Sequence, residues 1–178
     1  LDEVTNTYGI KVGSYGEESV VIPSTYNDLP VTKILEYAFE NRPNLKSITL
    51  PDTITEIEDG AFGYCSKLKN INIPDSVKKI GKDVFAGCDE LVYDNYNGLK
   101  YLGNWLIDAR NVHMDRTNFK ESTIGICSEA FYGNQNITEI VIPRGVTEIY
   151  SNTFKESSIK KLIIHEKVKD IDLTSFEY

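Results

Sequence analysis

The reactive side chains of this 178-residue chain are few: two histidines, three cysteines and a scatter of carboxylates near enough in sequence to act in pairs. His113 and His165 have no carboxylate or cysteine at the intervals that metal ligands use. Cys127 follows Ile126 with no base that the sequence places beside it, and a nucleophilic thiol needs one. Cys65 and Cys88 are 23 residues apart, so a fold with that period brings them to neighbouring positions. A bridge would need side-chain geometry that stacking alone does not supply, and two buried thiols are the expectation. Glu56 with Glu58, and Glu139 with Glu148, resemble a glycosidase couple in type, but they fall where the pattern below is polar in any case and read as solvated positions. Asn136-Ile137-Thr138 matches a glycosylation acceptor and reads as a turn. On these grounds no catalytic residue, metal or cofactor is expected.

The elements that position these residues recur. Phe39, Phe62 and Phe85 are 23 apart, Phe131 and Phe154 are again 23 apart, Phe176 follows after 22, and the gap from Phe85 to Phe131 is 46, twice the step. Small or β-branched residues precede each of them: Ala38, Ala61, Val84, Ala130, Thr153 and Ser175. Pro51, Pro74 and Pro143 close the same apolar alternation at multiples of 23, with Pro23 at a wider interval and His165 standing in the proline position of the last copy. Leu45, Leu68, Leu91, Met114 and Ile137 keep the step through the stretch where the other two markers fade. A period in this range marks a stack of repeats, each too small to bury its own apolar face.

Within one repeat, Leu45, Ile48 and Leu50 put apolar side chains on one face of a short strand, because residues two apart share a face. Proline then ends the strand where no further donor is needed. Ile54 and Ile57 form a second apolar pair, Gly60 permits a tight bend, Phe62 plugs the core, and 63–66 turn the chain toward the next strand. Stacking builds a parallel sheet with each apolar residue about 4.8 Å from its copy. The expected organisation is a single domain over 1–178. Residues 1–19 form an N-terminal cap over the open sheet edge, 20–92 regular repeats, 93–120 degenerate repeats with a hairpin, and 121–178 regular repeats again. The hairpin rests on Asn97-Gly98 between alternating aromatic and aliphatic residues, since both accept the positive φ of a type I′ turn.

Composition narrows the partners. Nineteen basic against 27 acidic residues give a net charge of -8 without a clustered basic face, which argues against nucleic acid. No run reaches the roughly 18 apolar residues of a membrane span, so this segment is not expected to insert directly. Three cysteines in a chain of this size do not define a disulfide framework.

The unit Leu-x-x-Ile-x-Ile-Pro-Asp-x-Val-x-x-Ile-x-x-x-Ala-Phe-x-x-Cys, carried by Leu45 to Cys65 and by Leu68 to Cys88, resembles the BspA-like class of bacterial leucine-rich repeats. Val21 to Thr32 and Tyr101 to Ile107 also look like that class. Arg42 and Asn134 depart from it in the cysteine position, as does His165 in that of proline. The resemblance implies an α/β-type or mainly β solenoid, a right-handed leucine-rich-repeat superhelix of stacked short parallel strands. It also implies a secreted or cell-surface protein, with any signal peptide removed or lying outside this sequence, that contacts a protein or polysaccharide in adhesion or host interaction. A spacer displaying another domain, and a hydrolase hidden in the irregular repeat, are the alternatives. Two surfaces are candidate binding sites. The strand face carries Lys46, Thr49, Lys69, Asn72, Asn95 and Glu139, and reads equally well as an ordinary solvated face. The hairpin carries Tyr93, Tyr96, Tyr101 and Trp105, whose rings either stack on a ligand or fill the gap that an irregular repeat leaves.

Overall fold

The computed structural model describes residues 7–10, 16–113 and 118–176; Met114 and parts of both termini lie outside them. The chain divides into two compact units, Leu1–Val92 and Tyr93–Tyr178, and the boundary falls where the repeats lose their proline. Unit 1 contains β1 (Tyr8–Ile10), β2 (Ser19–Val21), β3 (Thr25–Tyr26), β4 (Leu29–Ile34), β5 (Ser47–Thr49), β6 (Glu56–Ile57), β7 (Asn70–Ile71) and β8 (Lys79–Ile80). Unit 2 contains β9 (Asp94–Tyr96), β10 (Leu99–Leu102), β11 (Trp105–Asp108), β12 (Gly125–Ile126), β13 (Glu139–Val141), β14 (Glu148–Ile149), β15 (Lys161–Ile163), β16 (Asp170–Ile171) and a 3-10 turn, Leu173–Phe176.

Each regular coil of unit 1 has three sides. On the first, β2, β5 and β7 pair in parallel, with Val20 beside Ile48 and Ile48 beside Ile71. The second is also a parallel ladder, β4-β6-β8, stacking Ile34, Ile57 and Ile80 inward. Sequence patterning marks Ile54 and Ile57 as apolar but gives no strand here, because two residues are too short a run for period-2 alternation to register. The ladder is reinforced outside by Glu56, which bridges Lys33 and Lys79 at 3.1 Å each. The third side carries the phenylalanines. Their rings stack, Phe39 on Phe62 at 5.3 Å and Phe62 on Phe85 at 5.8 Å, and their amides donate across to the next coil, Phe39 to Ala61 at 2.7 Å and Phe62 to Val84 at 3.0 Å. The same column recurs in unit 2, Phe131 to Phe154 and Phe154 to Phe176, each at 5.5 Å.

The turn into and out of this third side is fixed by backbone rather than by residue type. Positive φ recurs at Tyr37, Gly60, Asp83, Glu129 and Asn152, and four residues later at Asn41, Tyr64, Gly87, Gly133 and Glu156. Left-handed backbone costs a residue with a Cβ roughly 1–2 kcal/mol, so the glycines relieve a strain that their counterparts carry.

The hairpin forms as the sequence predicts. β9 pairs antiparallel with β10 around Asn97 (φ 54°) and Gly98 (φ 84°). A second hairpin follows, β10 to β11, around Gly103 (φ 59°), and β11 then pairs in parallel with β12. Unit 1 holds a hairpin that the sequence reading lacks, β3 to β4 around Asn27 (φ 48°) and Asp28 (φ 62°). Within the span expected to cap the first sheet edge, Tyr8–Ile10 adds a strand in parallel to β4; residues 1–6 and 11–15 of that span lie outside the described residues.

Candidate interaction surface

The groups with reactive chemistry are committed to structure. Burial pushes all three thiols up, Cys88 to about 12, and so disfavours the thiolate that would act as nucleophile. All three are free cysteines, and the stacked pair donates instead to the preceding coil, Cys65 Sγ to Phe39 O at 3.0 Å and Cys88 Sγ to Phe62 O at 3.1 Å. His165 puts Nε2 2.8 Å from the carbonyl of Pro143, the residue in its own position one coil earlier, while Nδ1 accepts from the Lys167 amide. His113 Nδ1 is 2.9 Å from Asn111 O. Burial raises the Glu56 carboxyl, but hydrogen bonds from Lys33 and Lys79 outweigh it and leave the group below its ordinary value. Glu58 accepts from the Glu36 amide, Glu139 pairs with Lys161, and Glu148 accepts from Tyr150. Among the described residues no group of three His, Cys, Asp or Glu is placed to hold a metal, and no helix is long and apolar enough to cross a membrane.

The candidate aromatic group at the hairpin does not assemble as an exposed cluster. Tyr101 (0 % exposed) and Trp105 (1 %) belong to the core of unit 2. Trp105 lies over Gly125, where a Cβ would come within 2.5 Å of its ring, and Tyr101 shares a 2.9 Å hydrogen bond with Thr123. The Trp105 indole N–H has no hydrogen-bond partner among the described residues, so this position uses volume rather than polarity. Tyr93 is half-buried with Lys100 over its ring at 5.5 Å, which leaves Tyr96 as the exposed ring of the four. Asn95, also exposed, accepts from the Gly98 amide and braces the turn.

The strand face of unit 1 does gather its candidates. Ile48 points inward, so Ser47 and Thr49 face outward, with Lys46 exposed ahead of them and Lys69 and Asn72 exposed one coil on. Lys46 pairs with Glu18 at 2.8 Å, Lys69 with Glu90 at 3.0 Å, and Ser47 donates to Ser19 at 2.9 Å. Asn72 accepts from the Leu50 amide and donates to the Leu50 carbonyl, both at 2.9 Å, continuing the ladder with a side chain where β7 has ended. Glu139 stands on β13 of unit 2, at the repeat position that Ser47 and Asn70 hold in unit 1. Two exposed side chains went unremarked in the sequence, Tyr37 and Tyr64; their signal is an aromatic residue at positions where other coils hold glycine, asparagine or an acidic residue.

The model of the BspA type leucine rich repeat region, in six copies, matches residues 17–112 and 109–178. No curated protein matches the chain. A leucine rich repeat protein of T. pallidum is similar over 91% of this chain and 73% of its own, at 21% identity and a TM-score of 0.50. A leucine rich cell surface protein of Faecalibacterium prausnitzii is similar over 95% of this chain at 30% identity and a TM-score of 0.52, and the match spans 41% of that longer protein. With its phenylalanine columns, paired parallel ladders and a family match across nearly all its length, the chain belongs to the BspA-type leucine-rich repeat family.

Proposed function

We propose that the chain is a non-catalytic recognition module, displayed outside the cell, that binds a protein or polysaccharide through the strand face of unit 1. The observation that carries this reading is the outward row of Lys46, Thr49, Lys69 and Asn72 on one parallel ladder. Its polar groups are already tied to one another, Lys46 to Glu18 and Asn72 to Leu50, so a ligand meets a face held in place by its own hydrogen bonds. Preorganisation of this kind lowers the ordering cost of binding. Display at the surface is supported by the likeness to the F. prausnitzii relative, a leucine rich cell surface protein. The three thiols, buried and raised, are poorly suited to act as nucleophiles, and this favours binding over thiol chemistry.

The test is a glycan and host-protein array probed with the chain and with a Lys46→Ala, Thr49→Ala, Lys69→Ala variant. Capture that falls at least about tenfold with thermal stability unchanged, the loss of roughly 1.4 kcal/mol of binding, supports the strand face. Equal capture by the variant removes this face as the site.

A further inference from the structure

Charge is distributed unevenly around the coils of unit 1. On the strand side, Lys46 and Lys69 are balanced by Glu18 and Glu90. Along the phenylalanine side, the segments 36–41, 58–64 and 81–87 hold five carboxylates, Glu36, Glu40, Glu58, Asp59 and Asp83, against the one cation Lys82. Two tyrosines stand in this acidic field. Tyr37 is 45 % exposed and Tyr64 61 %, both in left-handed backbone, at φ 55° and 58°. Each leans on a glycine of the next coil: a Cβ on Gly60 would sit 2.4 Å from the Tyr37 ring, and one on Gly87 2.7 Å from that of Tyr64. Glu40 lies over Gly63 in the same manner, at 3.8 Å from the position of a Cβ there. The rings are thus supported from below and open to solvent, and a carboxylate stands in the segment between them.

Backbone economy does not explain these tyrosines. The equivalent left-handed positions of the other coils hold glycine (Gly60, Gly87, Gly133), asparagine (Asn41, Asn152) or an acidic residue (Asp83, Glu129, Glu156), so Tyr37 and Tyr64 are the two aromatic side chains among them, each held in a strained backbone where glycine is the cheaper choice. Most of the Tyr64 ring surface is not recovered by packing, since it stays in water. Open aromatic faces in a field of negative charge are suited to a cation, and a planar guanidinium gains most, because it can stack on the ring while donating to carboxylates alongside.

We propose that the phenylalanine side of unit 1 is a second binding surface, which receives an arginine-bearing basic segment of a partner protein on Tyr37 and Tyr64, with Glu40 and its neighbouring carboxylates as counter-charges. This surface is separate from the strand face and does not depend on it.

Titrating the full chain with hexa-arginine, hexa-lysine and a neutral hexaose by calorimetry tests the proposal. Hexa-arginine should bind, and more tightly than hexa-lysine of the same charge. A Tyr37→Gly, Tyr64→Gly variant, unchanged in net charge and freed of left-handed strain, should bind hexa-arginine roughly tenfold more weakly while keeping its melting temperature. The Lys46→Ala, Thr49→Ala, Lys69→Ala variant should bind hexa-arginine as the parent does, which separates this surface from the strand face. Equal binding of hexa-arginine and hexa-lysine, undiminished binding by the tyrosine variant, or binding of the hexaose in place of hexa-arginine would each overturn it.

Discussion

The regular coils of unit 1 and the irregular opening of unit 2 fill their interiors by opposite means. From 45 to 92, like stacks on like: Phe62 has a phenylalanine above and below it, and Cys88 repeats the hydrogen bond of Cys65 one coil on. Among the described residues from 93 to 137, the fillings are particular. Trp105 covers Gly125, Tyr101 meets Thr123, and Phe119 sets its ring against Phe131 at 6.1 Å, because Ala109 stands where the repeat would put phenylalanine. Asn134, in the cysteine position, donates to Ala109 O at 2.7 Å and Val112 O at 3.1 Å and accepts from the amides of Asn136 and Ile137. Repetition lets one solution serve several coils, whereas an interruption is sealed by residues that have meaning only beside their own partners.

The comparison is most sharply broken at Trp105. Trp105→Ala should cost about 3–5 kcal/mol in urea unfolding, the range for deleting a buried aromatic side chain. Gly125→Ala should cost about 1–3 kcal/mol in the parent, where the new methyl strikes the ring, and close to nothing in the Trp105→Ala background. Equal costs in both backgrounds would mean that the pair is not one fitted unit.

Asn134→Cys comes next. It installs the residue that the regular coils use, yet it should cost about 2–3 kcal/mol, because a thiol cannot serve two carbonyls and two amides at once. A neutral result in the same unfolding assay would show that the irregular region follows the regular rule.

A smaller difference separates two glycines in equivalent positions. Gly87 (φ 68°) and Gly133 (φ 66°) have the same backbone, but a Cβ on Gly87 meets the Tyr64 ring and one on Gly133 meets nothing within 4 Å. Gly133→Ala should therefore show the left-handed strain alone, roughly 1–2 kcal/mol, and Gly87→Ala that strain plus the displacement of a ring. Matching melting temperatures for the two variants would count against the tyrosine shelf.

The smallest effect is with pH. Glu56 is held below its ordinary value in the fold, so the stabilisation it contributes is present above its unfolded-state value and lost as pH falls through the folded one. Asp108, raised by burial but lowered further by Arg110 and Lys100, behaves alike in unit 2. Glu56→Gln should flatten the acid limb of the stability curve by under about 1 kcal/mol, since exposed partners screen the pair; an unchanged acid limb would say that Glu56 does not contribute.

The sequence makes the regular coils readable because their chemistry is periodic. Six phenylalanines and their small neighbours give the step, and the Asn97-Gly98 turn follows from dihedral preference. The β4-β6-β8 ladder is hidden, since two-residue strands such as Glu56–Ile57 carry no alternation of their own and depend on the coil beside them. Burial of Tyr101 and Trp105 is hidden for a related reason. An aromatic residue in an irregular stretch has the same composition whether it faces a ligand or a gap, and the gap above Gly125 exists only in three dimensions. Of the candidate surface, the strand-face positions Lys46, Thr49 and Lys69 were legible from alternation alone, whereas Tyr37 and Tyr64 gain their meaning from backbone angles that the sequence does not display.

Amide hydrogen exchange followed residue by residue is the most direct test of coil-on-coil stacking. Slow exchange is expected at Phe39 and Phe62 in unit 1 and at Phe131 and Phe154 in unit 2, whose amides all donate across to the following coil. Fast exchange at these four, or protection that ignores the 23-residue step, would contradict the account.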